Sequence, residues 1–198
     1  MTDGSLRLFT AIELPDDWRT SLARLQSELE AVAGGQLRMV RPDLMHLSLV
    51  FLGNQPPARL PEIEAALSSA ATSAEAFSIT MGRPGAFGPP HAISVVWTGL
   101  ASTPAPFQQL HRAISSELDR AGIEFDRKPL VPHLTLGRAR RTMERTVSTA
   151  IHAALQTLGP RQAPPAEVRE FVLMRSRLSP AGPNYETLGR FPVGAKHG

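Results

Sequence analysis

Two stretches, "MHLSLVFLG" (Met45–Gly53) and "PHLTLGR" (Pro132–Arg138), each set a histidine and a hydroxyl two residues apart within an apolar run. In a β-strand, residues i and i+2 point to the same side, about 7 Å apart along the chain. His46 and Ser48 therefore share one face, as do His133 and Thr135, while Leu47, Leu49, Leu134 and Leu136 point into a core behind them. If the two strands face each other, two imidazoles and two hydroxyls converge. Histidine titrates near neutrality, so one ring can accept a proton while the other donates one. An in-line displacement at a phosphodiester needs such a pair on opposite sides of phosphorus. The hydroxyls can hold the non-bridging oxygens by hydrogen bonds. A single histidine on an apolar strand is more often a core or rim residue; the repetition of the whole pattern carries the catalytic reading.

The elements that must position these strands also come twice. Leu6–Leu14 is a strand-like run ended by Pro15. Trp18, Leu22, Leu25, Leu29 and Val32 then recur at helical spacing, with Pro15, Asp16 and Asp17 as a start and Gly34-Gly35 as a stop. The first histidine strand, Met45–Leu52, follows and is closed by "GNQPP". In the second unit, Ala92–Leu100 is the strand, Phe107, Leu110, Ile114 and Leu118 mark the helix, and Leu134–Gly137 with its flanks is the second histidine strand. Further helices are expected around Leu60–Ala70 and Val147–Leu158, and further strands at "AFSITM" and "REFVLMRS". "SPAGPNY" reads as a turn returning into "ETLGRFPV", while "RPGAFGPPHA" and "GPRQAPPAE" read as loops. The pattern predicts an α+β fold with an approximate internal duplication, a single bilobal domain over 1–198 that ends in a loose tail, 194–198.

Composition narrows the chemistry. The chain has 198 residues, 42% of them hydrophobic, enough for one compact domain or two closely joined lobes. There is no cysteine, which removes disulfides, thiolate metal sites and cysteine nucleophiles. No run approaches the roughly 20 apolar residues of a membrane span, and "MTDGSLRLFTAIEL" does not read as a secretory signal, so a cytoplasmic protein is expected. The net charge is only +3, yet 19 of the 21 basic residues are arginine, which lifts the isoelectric point to about 10.1. That balance permits an anionic substrate without requiring one. His91 falls in a loop, His111 and His152 sit beside the apolar stripes of helices, and His197 is in the tail. No spacing suits a metal, and neither a nucleophile elbow nor a nucleotide-phosphate loop is present.

With these residues in place, "RLFTAIELP", "PDLMHLSLVFLG", "FGPPHAISVVWTGL", "KPLVPHLTLGR" and "FVLMRSRLSPAGPNYETLGRFPV" resemble, in order, the RNA 2′,3′-cyclic phosphodiesterases of the 2H phosphoesterase superfamily, first called 2′-5′ RNA ligases. The resemblance runs from Arg7 to Val193. It implies a bilobal α+β fold, two antiparallel sheets flanking a central cleft with helices outside. It implies hydrolysis of a terminal 2′,3′-cyclic phosphate to a 2′-phosphomonoester with no metal and no cofactor, and reversible 2′-5′ ligation as a side activity. Carried over, His46 would be the proton donor to the departing 3′-oxygen, His133 the acceptor from water, and Ser48 and Thr135 the phosphate-binding pair. Two departures stand out. Serine replaces the usual threonine at Ser48, and Leu130-Val131 replaces an aromatic followed by a polar or basic residue, so a substrate contact there is either missing or supplied by Arg127 or Lys128. Arg138 is common in the family, but it lies an odd step from His133 and reaches the cleft only if the strand bends at Gly137. Phe51 could stack on a base, but the same parity favours a core position. Tyr185 is expected either in the core or at the cleft edge.

Three readings stay open at this point: an enzyme acting on RNA with a 2′,3′-cyclic phosphate end, one acting on a small cyclic nucleotide or an ADP-ribose-derived cyclic phosphate, and a non-catalytic RNA-binding module. A monomer is expected in each case.

Overall fold

The computed structural model describes residues 4–160, 163–179 and 182–194. Most of the expected 194–198 tail lies outside the described residues; Gly194 is hydrogen-bonded through its N–H to the Ala74 carbonyl.

The first apolar run forms β1 (Leu6–Glu13), and its helical continuation forms α1 (Asp16–Ala33), which stops where Gly34 turns left-handed at φ 55° and donates to the Glu30 carbonyl. A short strand, β2 (Leu37–Met39), and a single 3₁₀ turn (Pro42–Leu44) lead into the first histidine strand, β3 (His46–Gln55). After α2 (Leu60–Thr72) come β4 (Phe77–Ile79), β5 (Met81–Phe87) and β6 (Val95–Leu100). Then follow α3 (Ala105–Arg120), the second histidine strand β7 (His133–Ala139), α4 (Arg145–Thr157), β8 (Ala166–Val168), β9 (Glu170–Ser179) and β10 (Gly182–Pro192).

These strands make two four-stranded antiparallel sheets, ordered β10-β9-β1-β3 and β2-β7-β6-β5, and a small β4-β8 pair. The duplication is visible in the order: β1 beside β3 in one sheet matches β6 beside β7 in the other. The two histidine strands approach each other where the sheets meet. Each unit's helix, however, backs the other unit's sheet. α1 packs on β2 and β7 with α4 alongside, and α3 packs on β3 with α2 alongside. One continuous apolar core results, with Trp18, Leu22, Phe107, Leu134 and Phe171 fully buried in it. A separate small cluster, Phe9, Ala11, Val172 and Met174, lies on the opposite face of the first sheet and packs against Tyr185.

One expectation is corrected here. "RPGAF" is part of β5 rather than a loop. Its proline and glycines hide the strand pattern, but β5 is an edge strand, where proline is tolerated. Its glycines also permit close approach: a Cβ on Gly82 would lie 2.6 Å from the Leu100 carbonyl, and one on Gly85 would lie 2.7 Å from the Trp97 ring. The polar stretch before the first histidine strand holds β2, which covers the outer edge of β7.

Because backbone cannot yield as a side-chain tip can, Gly82→Ala is expected to destabilise the fold by about 1–3 kcal/mol. Gly159→Ala, with nothing within 4 Å of the new Cβ, serves as its neutral control. Denaturant midpoints of the two variants check this; equal midpoints would contradict the packing argument.

Candidate active site

His46 and His133 open β3 and β7, and both are held in the same way. His46 Nδ1 lies 2.9 Å from the Leu44 carbonyl oxygen, and His133 Nδ1 lies 2.7 Å from that of Val131. A carbonyl can only accept, so Nδ1 of each ring carries the proton and each neutral ring keeps its lone pair on Nε2. His46, Ser48, His133 and Thr135 line one cavity of about 310 Å³. Neither hydroxyl is engaged by another group among the described residues.

The packing behind the two rings differs. His46 lies 4.8 Å from Phe9 and meets Tyr185 edge-on at 5.0 Å, centroid to centroid. His133 meets Phe87 edge-on at 5.0 Å, and Phe87 in turn leans on Trp97. Burial pushes the His46 pKa below the ordinary histidine value; the hydrogen bond to Leu44 opposes that shift, and charge on His133 adds to it. Burial raises the Tyr185 pKa, with Arg138 and Arg7 pulling the other way.

Both histidine strands break the alternation at a matching point. On β3, Ala11 faces Ser48 but Thr10 faces Val50, so Leu49 is an extra residue. On β7, Trp97 faces Thr135 but Val96 faces Gly137, so Leu136 is extra. Each bulge reverses the parity beyond it. The residue five positions after each histidine, Phe51 or Arg138, therefore turns to the cleft and lines it. Phe51 is 49% exposed, which corrects the core placement that regular parity predicts. Arg138 reaches the cleft by the bend that its odd spacing requires.

Buried polar groups hold both bulges. The Thr10 hydroxyl, fully buried, accepts from the Val50 N–H at 3.1 Å. The Gln26 side-chain amide donates to the Leu136 and Val40 carbonyls at 2.7 and 2.6 Å. An adjoining cavity of about 680 Å³ shares Arg38, His46, Phe51, Arg138 and Tyr185 with the first and extends to Arg7 and Asn54.

The family model of the 2′-5′ RNA ligase superfamily matches residues 14–179. The chain belongs to this superfamily. The RNA 2′,3′-cyclic phosphodiesterase of Methanothermobacter thermautotrophicus is 32% identical over 186 residues, 94% of this chain and 98% of that one. The protein of the same name from Archaeoglobus fulgidus is 31% identical, covering 94% and 99%. Among solved structures, one from Thermus thermophilus matches with a TM-score of 0.79 at 26% identity, over 97% of this chain and 100% of that one. E. coli LigT complexed with 3′-AMP matches with a TM-score of 0.76 at 25% identity, over 96% and 99%.

In this 2′-5′ RNA ligase superfamily member, the fold brings together His46, Ser48, His133, Thr135, Arg138 and Tyr185. It does not bring Arg127 or Lys128 to either cavity. Arg127 pairs with Asp119 and lies over the Phe125 ring, and Lys128 pairs with Asp126. Two cleft residues, Arg38 and Arg7, were not singled out in the sequence. Arg38 sits on a strand too short to show alternation, and Arg7 gives no signal beyond its charge.

Removing either bulge support leaves buried backbone groups without that partner. Thr10→Val and Gln26→Leu are each expected to cost about 1–3 kcal/mol, with Thr10→Ser largely sparing the fold, as read by chemical denaturation. By proton NMR, the His46 ring of the free protein should titrate below the ordinary histidine range, and His133→Ala should move its midpoint upward. The sign for stability follows. Below the unfolded pKa the unfolded chain binds a proton that native His46 refuses, so this contribution falls as pH drops toward the depressed folded value and then levels off. An upward-shifted His46 would contradict the burial argument.

Proposed function

We propose that this protein hydrolyses the 2′,3′-cyclic phosphate at the 3′ end of RNA to a 2′-phosphomonoester by paired-histidine acid–base catalysis, with no metal ion in the chemical step. The observation that carries this reading is the pair of Nδ1-anchored imidazoles, each with a same-face hydroxyl, around one cavity. The names of the two archaeal relatives point to the same substrate.

His133 Nε2 accepts a proton from water as the water oxygen bonds to phosphorus. The bond from phosphorus to the 3′-oxygen breaks, and His46 Nε2 gives that oxygen its proton. Ser48 and Thr135 donate to the non-bridging oxygens, where charge builds up in the transition state. Burial favours the neutral form of His46 in the free protein, whereas the negative charge of a phosphate beside it favours the cation, so substrate binding shifts the ring toward the donor form. With the 5′-hydroxyl of another RNA in place of water, the same exchange forms a 2′-5′ linkage, and its reversal cleaves one.

The test is a short RNA ending in a 2′,3′-cyclic phosphate, incubated with chelator. A 2′-phosphate should appear, and His46→Ala and His133→Ala should each lower turnover by about 10²-fold or more. Near-wild-type turnover by either variant, or loss on chelation restored by a divalent ion, would overturn the mechanism. With His46 as donor, the basic limb of kcat/KM should fall at lower pH than that of kcat, since only the latter reports the loaded complex. An acidic limb governed by His46 would exchange the two roles.

A further inference from the structure

Beyond His133, the open face of the second sheet continues across β6 to the edge strand β5. His133 stands opposite Gly99 and Thr135 opposite Trp97, which in turn stands opposite Gly85. The two glycines leave room for the Trp97 ring to lie along the sheet. A Cβ on Gly85 would come within 2.7 Å of that ring, and one on Gly99 within 3.3 Å. The indole N–H is buried without a hydrogen-bond partner among the described residues, so the partly exposed remainder of the ring is carbon. Phe87, also partly exposed, tilts against it at 5.3 Å. On β5, Met81 faces Leu100 but Pro84 faces Thr98, so Gly82 and Arg83 together oppose Gly99. Arg83 shares the parity of Gly85 and Phe87, is exposed, and has no ion-pair partner among the described residues. No acidic residue occurs on β5, β6 or β7. The face thus offers two aromatic rings and an unneutralised cation, and Gly99, between His133 and Arg83, raises no side chain.

We propose that this face holds the 5′-terminal nucleotide of a second RNA strand, the one whose 5′-hydroxyl takes the place of water in 2′-5′ ligation. This rests on the function proposed above, with His133 as the proton acceptor. The 5′-oxygen bonds to phosphorus and gives its proton to His133 Nε2. The bond from phosphorus to the 3′-oxygen breaks, and His46 protonates that oxygen. An in-line path sets the attacking oxygen opposite the leaving one, so its nucleoside lies on the His133 side of the reacting phosphate. There its base meets the rings of Trp97 and Phe87, and any base has a face to stack on them. Two strand spacings, about 10 Å, separate His133 from Arg83 across the sheet. One nucleoside bridges that gap, so its 3′-phosphate, the link to the next nucleotide, falls to the Arg83 guanidinium. Neither cavity of the cleft is lined by Trp97, Phe87 or Arg83, which leaves the cleft to the strand bearing the cyclic phosphate. A nucleoside on this face also stands where water would attack, so its occupancy decides between ligation and hydrolysis.

The experiment runs the ligation backwards, on a 2′-5′-linked adenosine dinucleotide and on the same compound extended by a 3′-5′-linked adenosine. The leaving strand is adenosine in the first and ApA in the second; adenosine 2′,3′-cyclic phosphate serves as the hydrolysis substrate. The wild type should cleave the 2′-5′ bond of the trinucleotide better by about 10-fold or more in kcat/KM. Arg83→Gln should collapse that ratio, and Arg24→Gln, which removes an equal charge from the exposed side of α1, should keep it. Removing the base of the middle nucleoside should cost the wild type about 10-fold, an effect that Trp97→Leu erases and Trp97→Phe retains. Arg83→Gln changes an exposed position and carries the test should Trp97→Leu fail to fold. Equal kcat/KM for the two linked compounds, a ratio that survives Arg83→Gln, or an abasic compound cleaved as fast as the intact one overturns the site. So does hydrolysis of the cyclic phosphate with no cleavage of either 2′-5′ linkage, and in all these cases the hydrolase reading stands. If no substrate turns over, the hydrolase reading fails, and calorimetry with the trinucleotide against the dinucleotide decides the site. Tighter binding of the trinucleotide that is lost in Arg83→Gln upholds it, and equal or undetectable binding overturns it.

Discussion

The site depends on one hydrogen bond made twice, from an imidazole Nδ1–H to the carbonyl two residues earlier in its own chain. The bond fixes the tautomer and leaves Nε2 as the one free nitrogen. It needs no partner carboxylate, so the orientation of each ring is a property of its own strand start. The surroundings then make two equivalent rings unequal. His46 is enclosed by Phe9 and Tyr185, whereas among the described residues His133 has a single aromatic neighbour, Phe87. A near-symmetric scaffold thus supports a division of labour in which the more buried ring carries the greater desolvation cost when charged.

The bulges extend the same logic from catalysis to recognition. A regular strand would expose only the histidine and hydroxyl and return the next candidates to the core. One extra residue in each strand brings a third side chain to the cleft. The two halves use different supports for that distortion, a threonine hydroxyl in one and a glutamine amide in the other. The outcome differs as well: one wall gains an aromatic ring and the other a cation.

Much of this was legible in the sequence. The two His-x-hydroxyl strands, the helix stripes led by Trp18 and Phe107, and the duplicated order all follow from periodicities that local chemistry enforces. What escaped was decided by distant partners. Nothing in "HLTLGR" announces that Leu136 is extra, because the bulge is held by Gln26, far away on α1. Strict alternation therefore misplaced Phe51 and let Arg138 into the cleft only on the condition of a bend. The "RPGAF" strand was masked by glycines whose role is to let Leu100 and Trp97 come close. Arg38 was silent because three residues carry too little pattern to define a strand.

The crossing of the helices gives the duplication a particular character. α1 belongs by sequence to the first unit and α3 to the second, yet each covers the opposite sheet. Two copies of a strand–helix–strand module that traded helices would form a domain-swapped pair, and this chain has the geometry of such a pair fused end to end. Neither half could then stand as a module, since severing them would strip each sheet of the helix that covers it. The cleft lies at the seam of that exchange. Its two walls come from interlocked halves, so each wall rests on a helix that the other half supplies.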